Sequence, residues 1–271
     1  MPELPEVETT KKGITPYVVG ETVSNIIIRE RNLRWPIPAS LKLSLKNQLI
    51  RKLRRRAKYL LFYTDKGCMI LHLGMSGNLR VLDNTIPHEK HDHVDIVFES
   101  GHLLRFHDPR KFGSILWTKD DPLEHKLLNH LGPEPLSEEF NVDYIFAKSR
   151  KRTQAIKTFI MDSRMVVGVG NIYASEALFR AEIKPTKKAG SVSKARYERL
   201  VSEIKNVLSQ AIEKGGTTLR DFYNGDGKPG YFSQELNVYG REGEPCKKCK
   251  KKIKMIRLGQ RSTFFCSHCQ K

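Results

Sequence analysis

From Thr22 to Trp117 the chain reads as short runs of β-branched, aromatic and aliphatic residues: Val23–Arg29, Tyr59–Tyr63, Met69–Leu73, Val94–Glu99, Leu103–His107 and Gly113–Trp117. Polar turns such as Thr64–Gly67 and Glu99–Gly101 separate them. Short strands at this spacing predict an antiparallel sandwich or barrel. Ahead of them Pro5–Val19 reads as a helix. Pro5 suits a first turn, Glu6 and Glu8 sit near the positive end of the helix dipole, and Lys11 and Lys12 lie further along. Leu131–Leu136 holds a glycine and two prolines and stops any regular element. Beyond it the apolar spacing turns helical over Val142–Arg150, Gln154–Met161, Ile172–Ala181 and Ser193–Lys214. The last of these puts Tyr197, Leu200, Val201, Ile204, Val207, Leu208, Ala211 and Ile212 on one broad face. Gly215 and Gly216 end it, Asn224–Gly230 reads as a mobile glycine-rich loop, and a basic, β-prone tail closes the chain.

Composition narrows the partners. With 271 residues, 39% of them hydrophobic, the chain can bury real cores in two domains or in one domain with an appendage. A formal net charge of +18 and a pI of about 9.7 suit a polyanion: DNA, RNA or an anionic membrane. No stretch approaches the roughly 20 apolar residues that span a bilayer. Met1–Glu6 has neither a cationic start nor an apolar signal core, so export is not expected.

Four of the five cysteines stand as Cys246-x2-Cys249-x16-Cys266-x2-Cys269. Two such knuckles present four thiolates to one tetrahedral ion, so one structural Zn2+ is expected, stiffening a hairpin too short to fold alone. A disulfide framework would be out of place at this size, and the cysteine usage fits a reducing cytoplasm. Cys68, in the apolar run Cys68–Leu73, reads as an inert core thiol.

Pro2 follows the initiator methionine. A small second residue permits removal of Met1, which leaves a secondary amine at the chain start. An α-amino group titrates at about 7.7–8.0, so a useful fraction is unprotonated at neutral pH. Its attack on a sugar C1′ gives a cationic iminium that acts as an electron sink, and Glu3 beside it can move protons. Taken alone, the same two residues are an ordinary start with an acidic helix N-terminus.

Ordered motifs along the chain separate these readings. Pro2-Glu3-Leu4-Pro5-Glu6-Val7-Glu8 is followed by Arg56-Ala57-Lys58-Tyr59-Leu60, then by His72-Leu73-Gly74-Met75-Ser76-Gly77 and Lys90-His91-Asp92-His93. Asp108-Pro109-Arg110-Lys111-Phe112-Gly113 and Val167-Gly168-Val169-Gly170-Asn171-Ile172-Tyr173-Ala174 come next, and Gln260-Arg261-Ser262-Thr263 lies between the cysteine pairs. Together they resemble the bacterial formamidopyrimidine-DNA glycosylases through the whole chain.

The resemblance implies an α+β protein. An N-terminal helix with an antiparallel β-sandwich domain is expected over 1–132, a helical domain with a helix-two-turns-helix and a lesion-capping loop over 133–236, and a zinc β-hairpin over 237–271. It implies a bifunctional DNA glycosylase and abasic-site lyase of base excision repair. Such an enzyme excises oxidised purines, 8-oxoguanine and formamidopyrimidines, from double-stranded DNA. It cleaves the abasic site by β,δ-elimination through a Schiff base on Pro2, working as a monomer. Lys58 is then a lesion contact and proton carrier. Arg261, in the turn of the zinc hairpin, enters the lesion site and assists δ-elimination. His91, Arg152, Lys157 and Asn171 are DNA contacts, and Thr217–Ser233 caps the lesion. Met75, Arg110 and Phe112 fill the hole an extruded nucleotide leaves, where apolar or planar wedges offset an unstacking cost of about a few kcal/mol.

Without the family these residues read differently. Lys58 would be one cation of the solvated run Arg51–Lys58, and Met75 and Phe112 would be core. His91 and His93 would share a strand face, but no third ligand accompanies them and no metal is expected there. Gly168-x-Gly170 is no dinucleotide loop, because Tyr173 stands where the third glycine belongs. It reads as a tight turn before a helix capped by Asn171, with outward N–H groups suited to phosphate. In one departure from the family, Lys250 replaces the glycine that usually follows the second cysteine, which predicts a looser first knuckle. The lysine-rich stretch 247–254 should raise non-specific DNA affinity and its salt sensitivity. An endonuclease VIII-type enzyme for oxidised pyrimidines and a non-catalytic zinc-ribbon DNA-binding protein are the alternatives. Leu4 with Pro5–Glu8, together with Lys90–His93, favours the purine branch.

Overall fold

The structure, a computed structural model, describes residues 2–216 and 235–271; the expected capping loop Thr217–Ser233 lies outside the described residues. The chain forms two compact units, residues 2–129 with 214–216 and residues 130–213 with 235–271. Among the described residues no helix is long and apolar enough to cross a membrane.

In the first unit, helix α1 (Leu4–Val18) opens with Glu3 as its N-cap, whose N–H donates to Glu6 Oε2 at 2.8 Å in a capping box. Pro5 lies in the first turn, and Leu4, Val7, Ile14 and Val18 are buried. Eight strands follow: β1 (Val23–Ile28), β2 (Lys52–Arg56), β3 (Tyr59–Thr64), β4 (Gly67–His72), β5 (Asn78–Asp83), β6 (Asp92–Phe98), β7 (His102–His107) and β8 (Ser114–Thr118). They make two antiparallel sheets, ordered β1-β6-β7-β5 and β2-β3-β4-β8. Ile26, Leu79, Ile96 and Leu104 of one sheet share a core with Leu60, Phe62, Leu71 and Ile115 of the other, which makes the pair a sandwich. Cys68 is buried on the face of β4 opposite Met69 and Leu71, and burial pushes its thiol up to about 12, which leaves it inert.

Three elements were not expected. Strand β2 is almost all cations, with Leu53 its only buried residue; it pairs with β3 alone, and charge on such an edge discourages further pairing. Strand β5 is the opposite sheet's edge. Short helix α2 (Leu41–Leu45) rests on Leu41 and Leu45, one turn apart.

The second unit holds α3 (Val142–Ser149), α4 (Ile156–Ile160), α5 (Asn171–Arg180), α6 (Lys194–Glu213), β9 (Lys254–Leu258) and β10 (Arg261–Phe265). Asn141 caps α3 by accepting from the Tyr144 N–H at 2.9 Å. Helix α6 buries the predicted stripe from Tyr197 to Ala211. Helix α5 is buried from Ile172 to Phe179, all round its circumference, so it is the centre of this unit.

Two local expectations are corrected. Gly170, in extended conformation, is the N-cap of α5; Asn171 is its first residue, and its amide is free to face elsewhere. Arg261 does not lie in the hairpin turn. Gly259 (φ +54°) and Gln260 (φ +62°) form a left-handed two-residue turn, and Arg261 opens β10 opposite Leu258.

Candidate active site and nucleic-acid interface

Pro2 and Glu3 are buried at the start of α1. Five residues further, in the helix, Glu8 accepts from Arg55 Nε at 2.7 Å. Burial works against the Glu8 carboxylate, yet hydrogen bonds from Lys11 and Arg55 keep it below its ordinary range. Arg55 also donates to the Ala57 carbonyl at 2.9 Å. This chain of contacts ties α1 to the β2–β3 turn, made by Ala57 (φ +53°) and Lys58. Lys58 is thus presented from a pinned turn immediately before the start of β3.

His72, at the end of β4, pairs with Tyr59 across the sheet, their rings 4.7 Å apart. It was missed from sequence. Burial first, then the charges of Lys58 and Arg34, lower its pKa to about 4. The Gly74 N–H donates to His72 Nδ1 at 3.0 Å. The imidazole is therefore neutral at pH 7 and carries its proton on Nε2, a donor in a cationic corner suited to phosphate.

Met75 and Phe112 are 39% and 41% exposed, so the core reading of either fails. Two turns carry them, and the turns touch. A Cβ on Gly74 (φ +69°) would stand 2.4 Å from both Gly113 N and Phe112 C, so only glycine allows this approach. The Arg110 guanidinium lies 5.0 Å from the Phe112 ring centroid. Met75 and the distant Arg110–Phe112 segment thus form one exposed apolar-and-cationic projection.

His91 is half-buried, its ring edge-on to His107 at 5.9 Å and to His93 at 6.4 Å. It lines a groove of about 440 Å³ with Arg29, His88, Lys90 and Lys111, a cationic wall with Glu30 and Glu89 as counter-charges. Asp92 is structural. Its carboxylate accepts from Arg80 at 2.5 Å, from the Glu89 N–H at 2.8 Å and meets His107 Nδ1 at 2.8 Å. His93 is buried, with Nε2 2.8 Å from the Asp108 carbonyl.

In the second unit Lys157 was expected at the DNA phosphates. It is 1% exposed, and its ammonium donates to Asn171 Oδ1 at 2.6 Å, Thr263 Oγ1 at 2.8 Å and the Ser262 carbonyl at 3.3 Å. Asn171 donates in turn to the Ser262 carbonyl at 3.0 Å. The pair joins α4, α5 and β10 directly beside Arg261, which is exposed, as is Arg152.

The four zinc-spaced sulfurs lie within 4.8 Å of one another. Cys246 and Cys269 are 3.9 Å apart, Cys249 and Cys266 3.4 Å. Zn–S bonds of about 2.3 Å in a tetrahedron need S···S edges of about 3.8 Å, so the set fits one zinc ion. Phe179, Val238 and Ile253 pack around Cys246 and Cys266. Lys250 sits at φ +63°, where the family's glycine would be at ease, yet its N–H still donates to the Cys246 carbonyl at 2.9 Å and closes the knuckle. The segment entering the hairpin is held by Glu176. This fully buried carboxylate accepts four N–H bonds of 2.8–2.9 Å from Asn237, Val238 and Tyr239.

Three family models cover most of the sequence: the formamidopyrimidine-DNA glycosylase N-terminal domain over residues 1–115, its H2TH domain over 131–223, and the zinc finger found in FPG and IleRS over 243–271. The chain belongs to the formamidopyrimidine-DNA glycosylase family. A formamidopyrimidine-DNA glycosylase of Saccharophagus degradans is 59% identical over 271 residues, the whole of both chains. The Lactococcus lactis Fpg bound to abasic-site DNA is 34% identical, with a TM-score of 0.93 over 100% of each chain. A MutM protein bound to DNA with a carbocyclic 8-oxo-G is 36% identical, with a TM-score of 0.92 over 100% of each chain. The H2TH match takes in the Gly168–Asn171 turn, and the zinc-finger match takes in all four cysteines.

Proposed function

We infer that this chain is a DNA glycosylase and abasic-site lyase that removes oxidised purines from duplex DNA in base excision repair. Family membership across the whole chain supports the reading, and the exposed Met75–Arg110–Phe112 projection carries it. A protein that only grips a backbone has no use for two large apolar side chains held in water beside an arginine. A relative seen with 8-oxo-G DNA favours purine lesions over the pyrimidine alternative.

In this reading residues 1–132 hold the nucleophile and wedge, 133–236 the helical DNA grip, and 237–271 the zinc hairpin. Once Met1 is gone, the Pro2 nitrogen attacks C1′ and the glycosidic bond breaks toward the base, with Glu3 protonating the sugar oxygen. The resulting iminium makes the C2′ proton acidic. Its removal expels the 3′ phosphate, and a second elimination expels the 5′ phosphate, leaving a one-nucleotide gap. Lys58 carries protons and contacts the lesion, and Arg261 assists the second elimination. His72, His91, Arg152 and Asn171 hold phosphates, with Lys157 positioning Asn171. When bound, the zinc supplies four closed thiolate bonds that fix the hairpin. The enzyme works as a monomer in the cytoplasm, on the bacterial DNA.

The test is borohydride trapping on duplex DNA carrying one 8-oxoguanine, followed by mass spectrometry. An adduct on the Pro2 amine is expected. An adduct on Lys58 overturns the nucleophile, and tight binding with no adduct and no base release overturns the enzyme.

A further inference from the structure

Asp108 is fully buried, and its carboxylate faces three separate donors. Oδ1 accepts from Ser76 Oγ at 2.9 Å and from the Arg110 N–H at 3.3 Å, and Oδ2 accepts from the Gly113 N–H at 2.8 Å. Its backbone reaches a third segment: its N–H donates to the His91 carbonyl at 3.0 Å, and its carbonyl meets His93 Nε2 at 2.8 Å. One residue therefore touches the turn bearing Met75, the turn bearing Arg110 and Phe112, and the strand entry bearing His91.

We propose that Asp108 is the positioning residue of the wedge, locking the Met75 and Phe112 turns together and registering both against the His91 phosphate grip. The inference rests on the glycosylase reading above. Three observations carry it. A buried carboxylate is costly unless its oxygens are well bonded, and here every such bond goes to a residue in or beside one of the two turns. The space leaves no slack: a Cβ on Gly113 would stand 2.5 Å from Phe106 Cζ and 3.1 Å from Asp108 Oδ2. Met75 and Phe112 are too exposed to be held by packing of their own side chains, so their pose must come from the turns beneath. A wedge must meet the base stack as a unit, because one that yields cannot oppose restacking of the extruded base.

The test uses the full zinc-loaded chain and two variants, Asp108→Asn and Ser76→Ala. Two duplexes of one sequence are compared: one with 8-oxoguanine, whose base must be unstacked, and one with a preformed abasic site, which has no base to unstack. A 2-aminopurine next to the lesion reports extrusion. For Asp108→Asn, single-turnover excision should fall about tenfold or more, as loss of bonds to a charged acceptor allows, while abasic-site cleavage falls within about threefold. The 2-aminopurine signal should fall with excision. Ser76→Ala, which frees only the Met75 turn, should move the same ratio in the same direction. If Asp108→Asn fails to fold, Ser76→Ala decides alone. Equal losses on both duplexes, or no loss on either, overturn the proposal. If the wild type traps neither duplex, the glycosylase reading fails, and the fluorescence change on binding still decides whether Asp108 sets the wedge.

Discussion

The Lys157 ammonium donates to Asn171 Oδ1 at 2.6 Å, which makes a buried lysine the support for an amide at the mouth of the helix-two-turns-helix. The amide cannot flip without putting its NH2 against the ammonium, so its own donor stays directed to the Ser262 carbonyl. Replacing Lys157 with Met leaves three acceptors facing an apolar chain, and should cost about 2–4 kcal/mol in denaturant unfolding. DNA affinity should fall, but the slope of log affinity against log salt should stay within about 0.5 of wild type, because the buried ammonium is committed to three protein acceptors. Arg152→Ala is the contrast and should reduce that slope by about 1. A slope change for Lys157→Met equal to that of Arg152→Ala would return Lys157 to the phosphates.

His72 sets an acid limit. Its folded pKa is about 4 against an ordinary 6.5, with burial the first cause and the charges of Lys58 and Arg34 behind it. Between these values the unfolded chain binds a proton that the folded chain refuses, so stability is complete above about pH 6.5 and declines as pH falls. The decline levels off below about pH 4 and reaches at most about 3 kcal/mol. Urea midpoints of wild type and His72→Gln from pH 4 to 7.5 should diverge most near neutrality and converge at the acid end. Parallel curves would show that His72 titrates normally.

Much of this was legible in sequence, for identifiable reasons. Runs such as Val94–Glu99 and Leu103–His107 announce strands because burial on a sheet demands β-branched and aromatic residues. Lys52–Arg56 hid a strand because an edge needs one buried residue, Leu53, and tolerates cations elsewhere. Composition alone placed Met75 and Phe112 in the core, since exposure of an apolar side chain is decided by what lies beneath its turn. The burial of Lys157 was not legible because its acceptors, Ser262 and Thr263, lie far along the chain. Asp108 and His72 stood in the sequence only as members of longer motifs, with no role of their own. The partners of each are set by the meeting of distant segments, which local pattern does not encode.

Lys250 offers a small gain. At φ +63° a side chain costs about 1–2 kcal/mol relative to a right-handed conformation, while glycine returns about 0.4–1 kcal/mol through its freer unfolded state. Lys250→Gly should therefore stabilise the knuckle by up to about 1.6 kcal/mol and tighten zinc up to about fifteenfold in competition with a chelator. Weaker zinc binding would mean that the lysine side chain itself supports the site.

Glu176 should prove the most sensitive single position in the second unit. Its two oxygens accept four N–H bonds from Asn237, Val238 and Tyr239, two bonds each, and the side chain is fully buried in α5. Gln keeps the shape but replaces one oxygen with an NH2 group that must face two N–H donors. Both bonds on that side are lost and two donors are left buried, which costs about 2–4 kcal/mol. Tyr239 meets Phe264 of β10 edge-on with ring centroids 5.1 Å apart, so a displaced segment also loosens the strand that carries Arg261. The expected result for Glu176→Gln is a lower melting temperature, faster zinc loss to a chelator, and strand cleavage that falls more than DNA binding does. Glu176→Asp, one methylene shorter, keeps both acceptor oxygens and should recover part of each loss. If Gln matched wild type in zinc retention while Asp did not, side-chain length and not acceptor number would be holding the segment.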